Sequence, residues 1–557
     1  QGLKVTRRSI LKTIPALSAI SAGSSFFTKA ACAQEPLEDG YTICDNCNQM
    51  PMCGIHFQRQ GNTVVSVGNW KEHSGKLLCN KALATLQRLY NPHRLLYPMK
   101  RTNPKGSVDP GFVRISWQEA LATIAANMKK IRDQYGAEKL FIFCGAPKEP
   151  RPAAMRLARY FGTYHYGTES SVACRKGSLL AEQLVFGCEY AGGGCGPKTK
   201  SFMVMATNGA WSKPHGWWNM ISAAKQRGVN IIVIDARRTK VAELATIHLQ
   251  PKQGTDAALG AGICRVLFEE GLFNKPFCDK WVYGVEEYRN YCKDFTPEKT
   301  EAITGVPADL IVKAARMYAE GPGSFALTSQ SLSHSRNGVN SARALLNIPA
   351  ILGYVDIPGG ALFGVGPKGY IVHDNGLTED FVDYNWFKAH KKDRLDKDFV
   401  PVWNHTQVQF NPNQLPEHVK NGKLRGMVAF GFNVMIWPQP QVYAEAIKNM
   451  DFSCATDYFY RDETHHDMDI ILPAAMNYER YAPFGTHAGN KVSVRTPVKP
   501  MGEAKEDWWI ALQLGCLVDD PKHFFDGDPV KACDSILKEW GTTYADAQKN
   551  LPNMTQV

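Results

Sequence analysis

Four cysteines near the amino end constrain this chain more than any other feature of its sequence. Cys44 and Cys47 form a CxxC pair, Cys53 follows, and Cys79 completes the set, with Lys81 two positions later. Thiolates gathered this closely suit either a zinc ion or an iron–sulfur cluster, because both bind sulfur tightly. Their spacing alone does not separate the two, and the rest of the chain favours an iron–sulfur cluster.

Length and composition indicate a globular protein of several domains. The chain has 557 residues, of which 44% are hydrophobic and 21% charged, which predicts about two to four domains. The net charge of +11 is spread along the chain, and no Lys/Arg run alternates with aromatic residues. We therefore expect no nucleic-acid partner. Fifteen cysteines are too sparse for a disulfide scaffold.

The first 33 residues have the pattern of an export signal. Arg7 and Arg8 precede an apolar, Ala/Ser-rich segment over residues 13–27, and small residues follow at 31–33. Paired arginines in this position predict a twin-arginine signal, which exports proteins already folded with their cofactors. The alternatives are an ordinary secretory signal and lipidation at Cys32. No later stretch has eighteen apolar residues, so we expect no direct membrane span.

The middle of the chain alternates strands and helices in a way that predicts parallel sheets. Strands at 202–206 and 229–234 flank a helix at 216–227, which forms a βαβ unit. A similar pattern begins at residue 427, and the two halves resemble each other where a strand ends near an asparagine. The polar residues 359–420 between them are interpreted as an irregular insertion or crossover.

Polar residues at the predicted strand ends are candidate cofactor contacts, because ligands bind at the carboxyl ends of parallel strands. Asp235 suits a guanine edge and Arg237 a phosphate. Asp256 is either a helix N-cap or a second contact. Asn208 and Asn433 are either turn residues or ligand contacts.

Cys174 is a candidate metal ligand in the loop that follows residue 162. Taken alone, such a cysteine fits a buried core position better than a ligand role, but a thiolate is a soft ligand suited to molybdenum or tungsten. Arg175 and Lys176 follow it directly and would favour the ionised thiol.

Ordered motifs along most of the chain resemble the molybdopterin oxidoreductases of the dimethyl sulfoxide reductase family. The first motif spans residues 75–81 and contains Cys79 and Lys81. The others are residues 91–98, 115–120, 254–256, 472–473, 479–480, 500–504 and 507–508. The resemblance implies a bis-molybdopterin guanine dinucleotide cofactor carrying molybdenum or tungsten.

The resemblance also assigns roles to residues. It implies a [4Fe-4S] cluster at Cys44, Cys47, Cys53 and Cys79, with Lys81 between cluster and pterin. Cys174 would be the protein ligand of the metal, as in the cysteine-ligated branch of the family. The first guanosine would be held by Asn208, Asp235, Arg237, Gly254 and Asp256. The second would be held by Asn433, Asp457, Glu463, Thr464 and Glu479.

The implied architecture is a multi-domain α/β protein with two Rossmann-like, doubly wound parallel-sheet domains. We expect an export signal at 1–33, a cluster domain at 34–100 and a substrate-side domain at 101–200 with 330–420. Guanosine-binding regions follow at 201–329 and 421–557. Two departures from the family stand out. The cysteine spacing is CxxC followed by five residues, with Pro51 where a third cysteine is usual. The family's C-terminal β-barrel is expected to be absent.

The leading hypothesis is an exported reductase of anaerobic respiration that removes an oxygen or sulfur atom from a small substrate. Its electrons would come from a ferredoxin-type subunit, with a membrane anchor as a further possible partner. The alternative is a hydratase, transhydroxylase or catechol dehydroxylase, for which His165, His334 and His487 are acid/base candidates. A non-catalytic respiratory subunit is the third hypothesis.

The substrate funnel is expected along loops at 146–170, 329–340 and 359–420. Trp217, Trp218, Tyr164 and Tyr166 are candidates for an aromatic lining or for core packing. The sequence does not identify the substrate.

Overall fold

A computed structural model describes most of the chain. The described residues are 35–46, 53–73, 78–145, 149–171, 174, 176–189, 194–212, 214–327, 330–363, 378–487 and 489–557. The predicted export signal and the cluster ligand Cys47 lie outside them.

The strands are numbered in chain order. They are β1 Leu37–Ile43, β2 Gly54–Gln60, β3 Thr63–Asn69, β4 Met99–Lys100, β5 Val113–Arg114, β6 Leu140–Cys144, β7 Tyr166–Thr168, β8 Ser201–Met205, β9 Asn230–Ile234, β10 Ile247–Leu249, β11 Gly323–Leu327, β12 Gly426–Phe430, β13 Phe452–Asp457, β14 Ile470–Pro473, β15 Gly485–His487, β16 Lys491–Ser493 and β17 Thr555–Gln556.

The helices connect and cover these strands. The longer ones are Trp117–Tyr135, Arg151–Phe161, Lys176–Phe186, Asn219–Gln226, Asp256–Glu269, Lys275–Trp281, Val285–Cys292, Pro297–Thr304, Ala308–Ala319, Gly338–Ile351, Pro440–Lys448, Asp507–Val518 and Pro529–Leu537. The shorter ones are Asn80–Leu83, Thr85–Leu89, Gly209–Ser212, Lys240–Glu243, Gln330–Ser333, Glu379–Val382, Tyr384–Ala389, Pro401–Thr406, Leu415–Lys420, Asp462–His465 and Tyr544–Lys549.

The amino-terminal cysteine region folds around a small antiparallel sheet in the order β1-β2-β3. Phe57 and Ile55 alternate with polar residues along β2, and their buried side chains face a shared cluster that includes Tyr478. The region is thus packed on the second half of the chain.

The first large sheet has four parallel strands in the order β10-β9-β8-β11. Every residue of β8 is buried, with Met203 and Met205 in one hydrophobic cluster and Phe202 and Val204 in another. Burial on both faces explains the continuous apolar run, since a parallel sheet is covered by helices on each side. The α/β class predicted from the sequence is confirmed.

The second large sheet has seven strands in the order β5-β4-β14-β13-β12-β6-β7. Strands β6, β7, β12, β13 and β14 are parallel, and short antiparallel strands form the β4–β5 edge. Residues 140–168 therefore share a sheet with 426–473, although the predicted boundaries put them in different domains. Pairing of β6 with β12 connects positions nearly three hundred residues apart, which a local pattern does not reveal.

The insertion predicted as irregular contains regular structure in its described parts, residues 359–363 and 378–420. It contains four short helices and buries Trp403 and Phe410. The correction has a simple cause: helices this short carry no readable apolar period.

Among the described residues, no helix is both long enough and apolar enough to cross a bilayer.

Candidate functional site

The two large sheets end in equivalent loops. Backbone with positive φ follows each central strand, at Ala206 (φ 47°) after β8 and at Gly431 (φ 74°) after β12. The N–H of Ala206 donates to the carbonyl of Ile234 at 2.7 Å, and that of Gly431 donates to the carbonyl of Thr456 at 3.1 Å. Each loop therefore turns across the end of the neighbouring strand in the same way.

The predicted asparagines and aspartates occupy matching positions in these loops. Asn208 comes three residues after the end of β8, and Asn433 comes three residues after the end of β12. Asp235 directly follows Ile234, and Asp457 ends β13. The similarity noticed in the sequence thus reflects two like-built strand ends, each suited to present polar groups to a ligand.

The first strand end contains one buried side-chain atom without a hydrogen-bond partner among the described residues. The side-chain carbonyl of Asn208 is buried and accepts no hydrogen bond among the described residues. Burial, reinforced by the charge of Asp235, raises the pKa of Asp256. Arg237 and Gly254, which lie two positions from Asp235 and Asp256 in the sequence, are both exposed. The backbone N–H of Arg237 donates to the carboxylate of Asp235 at 2.9 Å. The carboxylates of Asp235 and Asp256 and the unbonded side-chain carbonyl of Asn208 are acceptors, which suit the N–H groups of a guanine edge.

The second strand end is more fully bonded within the protein. Thr464 donates to the side chain of Asn433 at 3.3 Å and accepts from the N–H of Val434 at 3.2 Å. Asp457 is buried beside Arg461, and burial outweighs that cation in raising its pKa. Glu463, in contrast, is exposed on a short helix.

Glu479 has a visible structural role. It forms a bidentate pair with Arg94, with both bonds at 2.8 Å, and both side chains are fully buried. It also accepts from the N–H groups of Met476 and Met501, each at 2.8 Å. Both carboxylate oxygens of Glu479 therefore already accept hydrogen bonds from the protein. The predicted contact of Glu479 with a guanosine stays a prediction.

Cys174 lines a pocket of about 330 Å³. The walls come from the loop and helix at 171–180, from Ser333 and His334, and from residues 400–413 of the insertion. The His334 Nε2 atom lies 3.1 Å from the carbonyl oxygen of Cys174. Two of the segments predicted to line the funnel, 329–340 and 359–420, therefore contribute to this pocket.

Lys176 lies at the same pocket as half of a buried pair. Its ammonium is 3.2 Å from Glu189 and 3.1 Å from the side-chain oxygen of Gln407. The amide nitrogen of Gln407 in turn donates to Glu189 at 2.8 Å. Sequence reasoning missed the glutamine, because nothing local connects position 407 to position 176.

Of the three histidines proposed for acid/base chemistry, only His334 lines the pocket. His165 is buried between the carbonyl of Glu138 and the N–H of Leu395, and burial lowers its pKa to about 3. His487 is buried against Ser493, and burial lowers its pKa to about 4.

The aromatic residues proposed for the lining pack elsewhere. Tyr164 stacks on His390, Tyr166 is fully buried, and Trp217 and Trp218 pack against the first sheet. Trp403, which the sequence did not single out, is the aromatic residue that lines this pocket.

Three of the four predicted cluster cysteines, Cys44, Cys53 and Cys79, belong to the same small region, but their side chains do not form a preassembled metal site. The N–H of Cys44 donates to the carbonyl of Cys53 at 2.8 Å, and Cys79 packs against the same hydrophobic cluster. Lys81 is exposed on the helix that begins after Cys79. Among the described residues, no three His, Cys, Asp or Glu side chains are close enough together to hold a metal ion. Cys47 lies outside the described residues.

Comparisons with known proteins agree with this arrangement. The family model described as Molybdopterin oxidoreductase matches residues 94–515. A probable oxidoreductase of Bacillus subtilis, YoaE, is 28% identical over 82% of this chain and 65% of its own length. The F420-dependent formate dehydrogenase subunit alpha of Methanocaldococcus jannaschii is 28% identical, covering 85% of this chain and 69% of its own.

Acetylene hydratase is similar in both sequence and structure. The enzyme of Syntrophotalea acetylenica is 26% identical over 86% of this chain and 68% of its own length. The structure of acetylene hydratase from Pelobacter acetylenicus superposes with a TM-score of 0.79 at 23% identity, over 92% of this chain and 73% of that one. This chain spans about two thirds of the length of the curated relatives it matches.

The family match covers most of the chain and includes the strand ends and the cysteine-lined pocket described above. Members of this family carry molybdenum or tungsten on a molybdopterin. The chain is an enzyme and belongs to the molybdopterin oxidoreductase family.

Proposed function

We propose that this chain is the catalytic subunit of an exported reductase that removes an oxygen or sulfur atom from a small substrate. The observation that carries the proposal is a cysteine, Cys174, in the wall of a pocket of about 330 Å³. A soft thiolate in that position suits a molybdenum or tungsten ion.

The strand-end residues would hold the cofactor as a bis-molybdopterin guanine dinucleotide. Asn208, Asp235 and Asp256 offer acceptors to one guanine, and the open carbonyl of Asn208 favours this fit. Asn433, Asp457 and Thr464 occupy the matching loop for the other. When bound, the cofactor would supply two-electron redox chemistry.

The protein's own residues would hold the metal and form the wall of the pocket around the substrate. Cys174 would hold the metal. The opposite charges of Lys176 and Glu189 would neutralise each other in the pocket wall beside Cys174. Ser333 and His334 add hydrogen-bonding groups to the same pocket. In the net reaction the substrate loses an oxygen atom, which leaves as water with two electrons from the donor and two protons from solvent.

Electrons would enter through a [4Fe-4S] cluster held by Cys44, Cys47, Cys53 and Cys79, with Lys81 on the path to the pterin. The backbone hydrogen bond between Cys44 and Cys53, and the packing of Cys79 on the same hydrophobic cluster, support this part of the proposal. A ferredoxin-type subunit would deliver the electrons. The paired arginines at the amino end support export through the twin-arginine route to the periplasm.

A hydratase, transhydroxylase or catechol dehydroxylase is the second candidate function. His334 favours it, because an imidazole beside the metal ligand suits acid/base chemistry on bound water or substrate. Similarity to acetylene hydratases supports the same candidate.

Metal analysis followed by a dye assay tests the proposal. Purified holoprotein should contain molybdenum or tungsten with iron, and it should oxidise reduced viologen when a substrate with a removable oxygen or sulfur atom is added. Cys174→Ala should abolish dye oxidation and leave the protein folded.

The outcomes separate the candidates. Turnover without any electron donor would favour the hydratase or transhydroxylase. Iron without molybdenum or tungsten would refute both enzyme candidates. Cys195→Ala is the matched control, since Cys195 lies beside Arg227 away from the pocket.

A further inference from the structure

The pocket at Cys174 has one apolar wall that belongs to the insertion. Val400, Pro401, Val402 and Trp403 line it together, where the helix Pro401–Thr406 begins. An inorganic anion gains nothing from such a surface, whereas a hydrocarbon or ring surface gains free energy by leaving water.

The indole of Trp403 is held in one orientation. Its Nε1 atom donates to the carbonyl of Gln409 at 2.8 Å, and the side chain is almost fully buried. The Lys176 ammonium lies 5.5 Å from the ring centroid, within the range of a cation–π contact. The ring is therefore a fixed part of the wall.

Two buried glutamines fasten this wall to the loop that carries Cys174. Gln409 accepts from Thr168 at 3.1 Å and from Ser171 at 2.9 Å. Gln407, two positions earlier, accepts from Lys176 at 3.1 Å. Gln409 is therefore bonded to residues before Cys174, and Gln407 to a residue after it. These bonds fix the distance between the apolar wall and Cys174.

A buried ion pair supports the wall from behind. Arg394 and Asp396 are bound to each other and fully buried. Asp396 accepts the N–H of Asn411 at 2.8 Å, and Arg394 donates to the carbonyl of Gln407 at 2.7 Å. Such a network resists deformation, because breaking it would leave a buried charge without its partner.

Apart from Leu180, Gly177 and the paired ammonium of Lys176, the rest of the described lining is polar and contains no carboxylate. Ser333, His334, Asn411 and Asn413 offer hydroxyl, imidazole and amide groups. These groups suit an oxygen-bearing substituent of the substrate. A volume of about 330 Å³ lies at the lower end for pockets that bind small organic molecules.

We propose that Trp403 is a specificity-determining residue and that the pocket takes a small ring-bearing organic molecule with an oxygen-bearing polar group. This inference rests on the proposed function of the same pocket. The ring would lie against Trp403, and the polar group would face Ser333 and His334.

Matched pairs of oxygen donors test the inference in the holoenzyme with reduced viologen. Pyridine N-oxide is compared with trimethylamine N-oxide, methyl phenyl sulfoxide with dimethyl sulfoxide, and nitrate represents inorganic anions. In each pair the reaction is the same: the oxygen leaves as water with two electrons and two protons. The ring-bearing member should have a kcat/KM about tenfold higher or more.

Substitutions assign that preference to the indole. Trp403→Leu should reduce the ratio within each pair to about threefold or less, and Trp403→Phe should keep most of it because a ring remains. Trp386→Leu is the control, since Trp386 lies on the helix Tyr384–Ala389 outside the pocket lining. If Trp403→Leu does not fold, the ratio of kcat/KM within each pair for the wild-type enzyme still tests the inference, because an equal preference would overturn it.

Binding measured by calorimetry separates this inference from the proposed function. Binding of the ring-bearing compounds without dye oxidation would support the inference and refute the reductase. Nitrate turnover without binding of any ring compound would keep the reductase and overturn the inference. An equal preference within the pairs, or a ratio that Trp403→Leu leaves unchanged, would overturn it as well.

Discussion

At the scale of single residues, a side chain's partners decide what it does. Glu479 matches a family motif, yet its oxygens are engaged by Arg94 and by backbone N–H groups. Asn208 has the opposite character, because its buried carbonyl lacks a partner among the described residues. The sequence predicted both positions as polar and functional, and only the contacts distinguish a structural carboxylate from an open acceptor.

The Arg94–Glu479 pair gives the first prediction. Glu479→Gln removes one charge of a fully buried pair, so the folded state should lose about 3–5 kcal/mol of stability. Urea unfolding measures the loss. Glu503→Gln breaks an exposed pair with Arg114 and should cost less than about 1 kcal/mol. Equal effects of the two substitutions would contradict the structural role of Glu479.

Asp235 gives a prediction about cofactor retention. Asp235→Asn replaces an acceptor-only carboxylate, so guanine binding should weaken by roughly 10- to 100-fold. Molybdenum or tungsten per purified protein should fall accordingly. Asp451→Asn, at an exposed pair with Arg425, should leave the metal content unchanged. Full metal retention by Asp235→Asn would remove this residue from the site.

At the scale of elements, strands with continuous apolar runs are the ones whose bounds the sequence predicts well. The strands predicted at 202–206 and 229–234 lie within one residue of β8 and β9, and the pattern predicted from residue 427 begins one residue after the start of β12. These elements have long apolar periods or runs that are buried on both faces. The helices of the insertion were not predicted, because they are short and their packing depends on partners distant in sequence, such as Thr168 for Gln409.

The contact between the ends of β6 and β12 gives an element-scale prediction. A Cβ atom on Gly145 would lie 2.0 Å from the carbonyl oxygen of Gly431, which is backbone and cannot rotate away. Gly145→Ala should therefore destabilise the protein by about 1–3 kcal/mol or more. Thermal unfolding measures it.

Gly68→Ala is the matched control for this substitution. Gly68 lies in β3, and nothing approaches a Cβ atom there within 4 Å. Its effect should stay within about 0.5 kcal/mol. If Gly145→Ala were equally harmless, the close approach of the two strand ends would be wrong.

At the scale of the whole molecule, buried charges join distant parts of the chain. Arg480 pairs with Asp45 of the cysteine region and with Glu149 after β6, and Arg495 also pairs with Glu149. Asp45 and Arg480 are separated by 435 positions. A single sequence contains no signal for such pairs, so the packing of the cysteine region on the second half was not predictable.

Asp507 gives a whole-molecule prediction about pH. Burial raises its pKa from 3.8 to about 6, although a bond from Thr456 and the charge of Arg480 oppose the rise. A carboxyl whose pKa is raised by folding stabilises the protein at low pH and loses that contribution as pH rises to about 6. At 1.36 kcal/mol per pH unit the change is about 3 kcal/mol at most.

Comparing Asp507→Asn with wild type isolates this contribution from other titrating groups. Between about pH 4 and pH 6, wild-type stability should fall relative to the variant, as followed by urea unfolding. Parallel pH profiles of the two proteins would mean that Asp507 titrates normally.

The central claim is that the sulfur of Cys174 binds a pterin-held metal. X-ray absorption at the molybdenum or tungsten edge, on wild type and Cys174→Ser, tests it most directly. The account predicts that the substitution removes about one sulfur from the metal's coordination shell, while Cys195→Ser leaves the shell unchanged. An identical sulfur shell in wild type and Cys174→Ser would contradict the account.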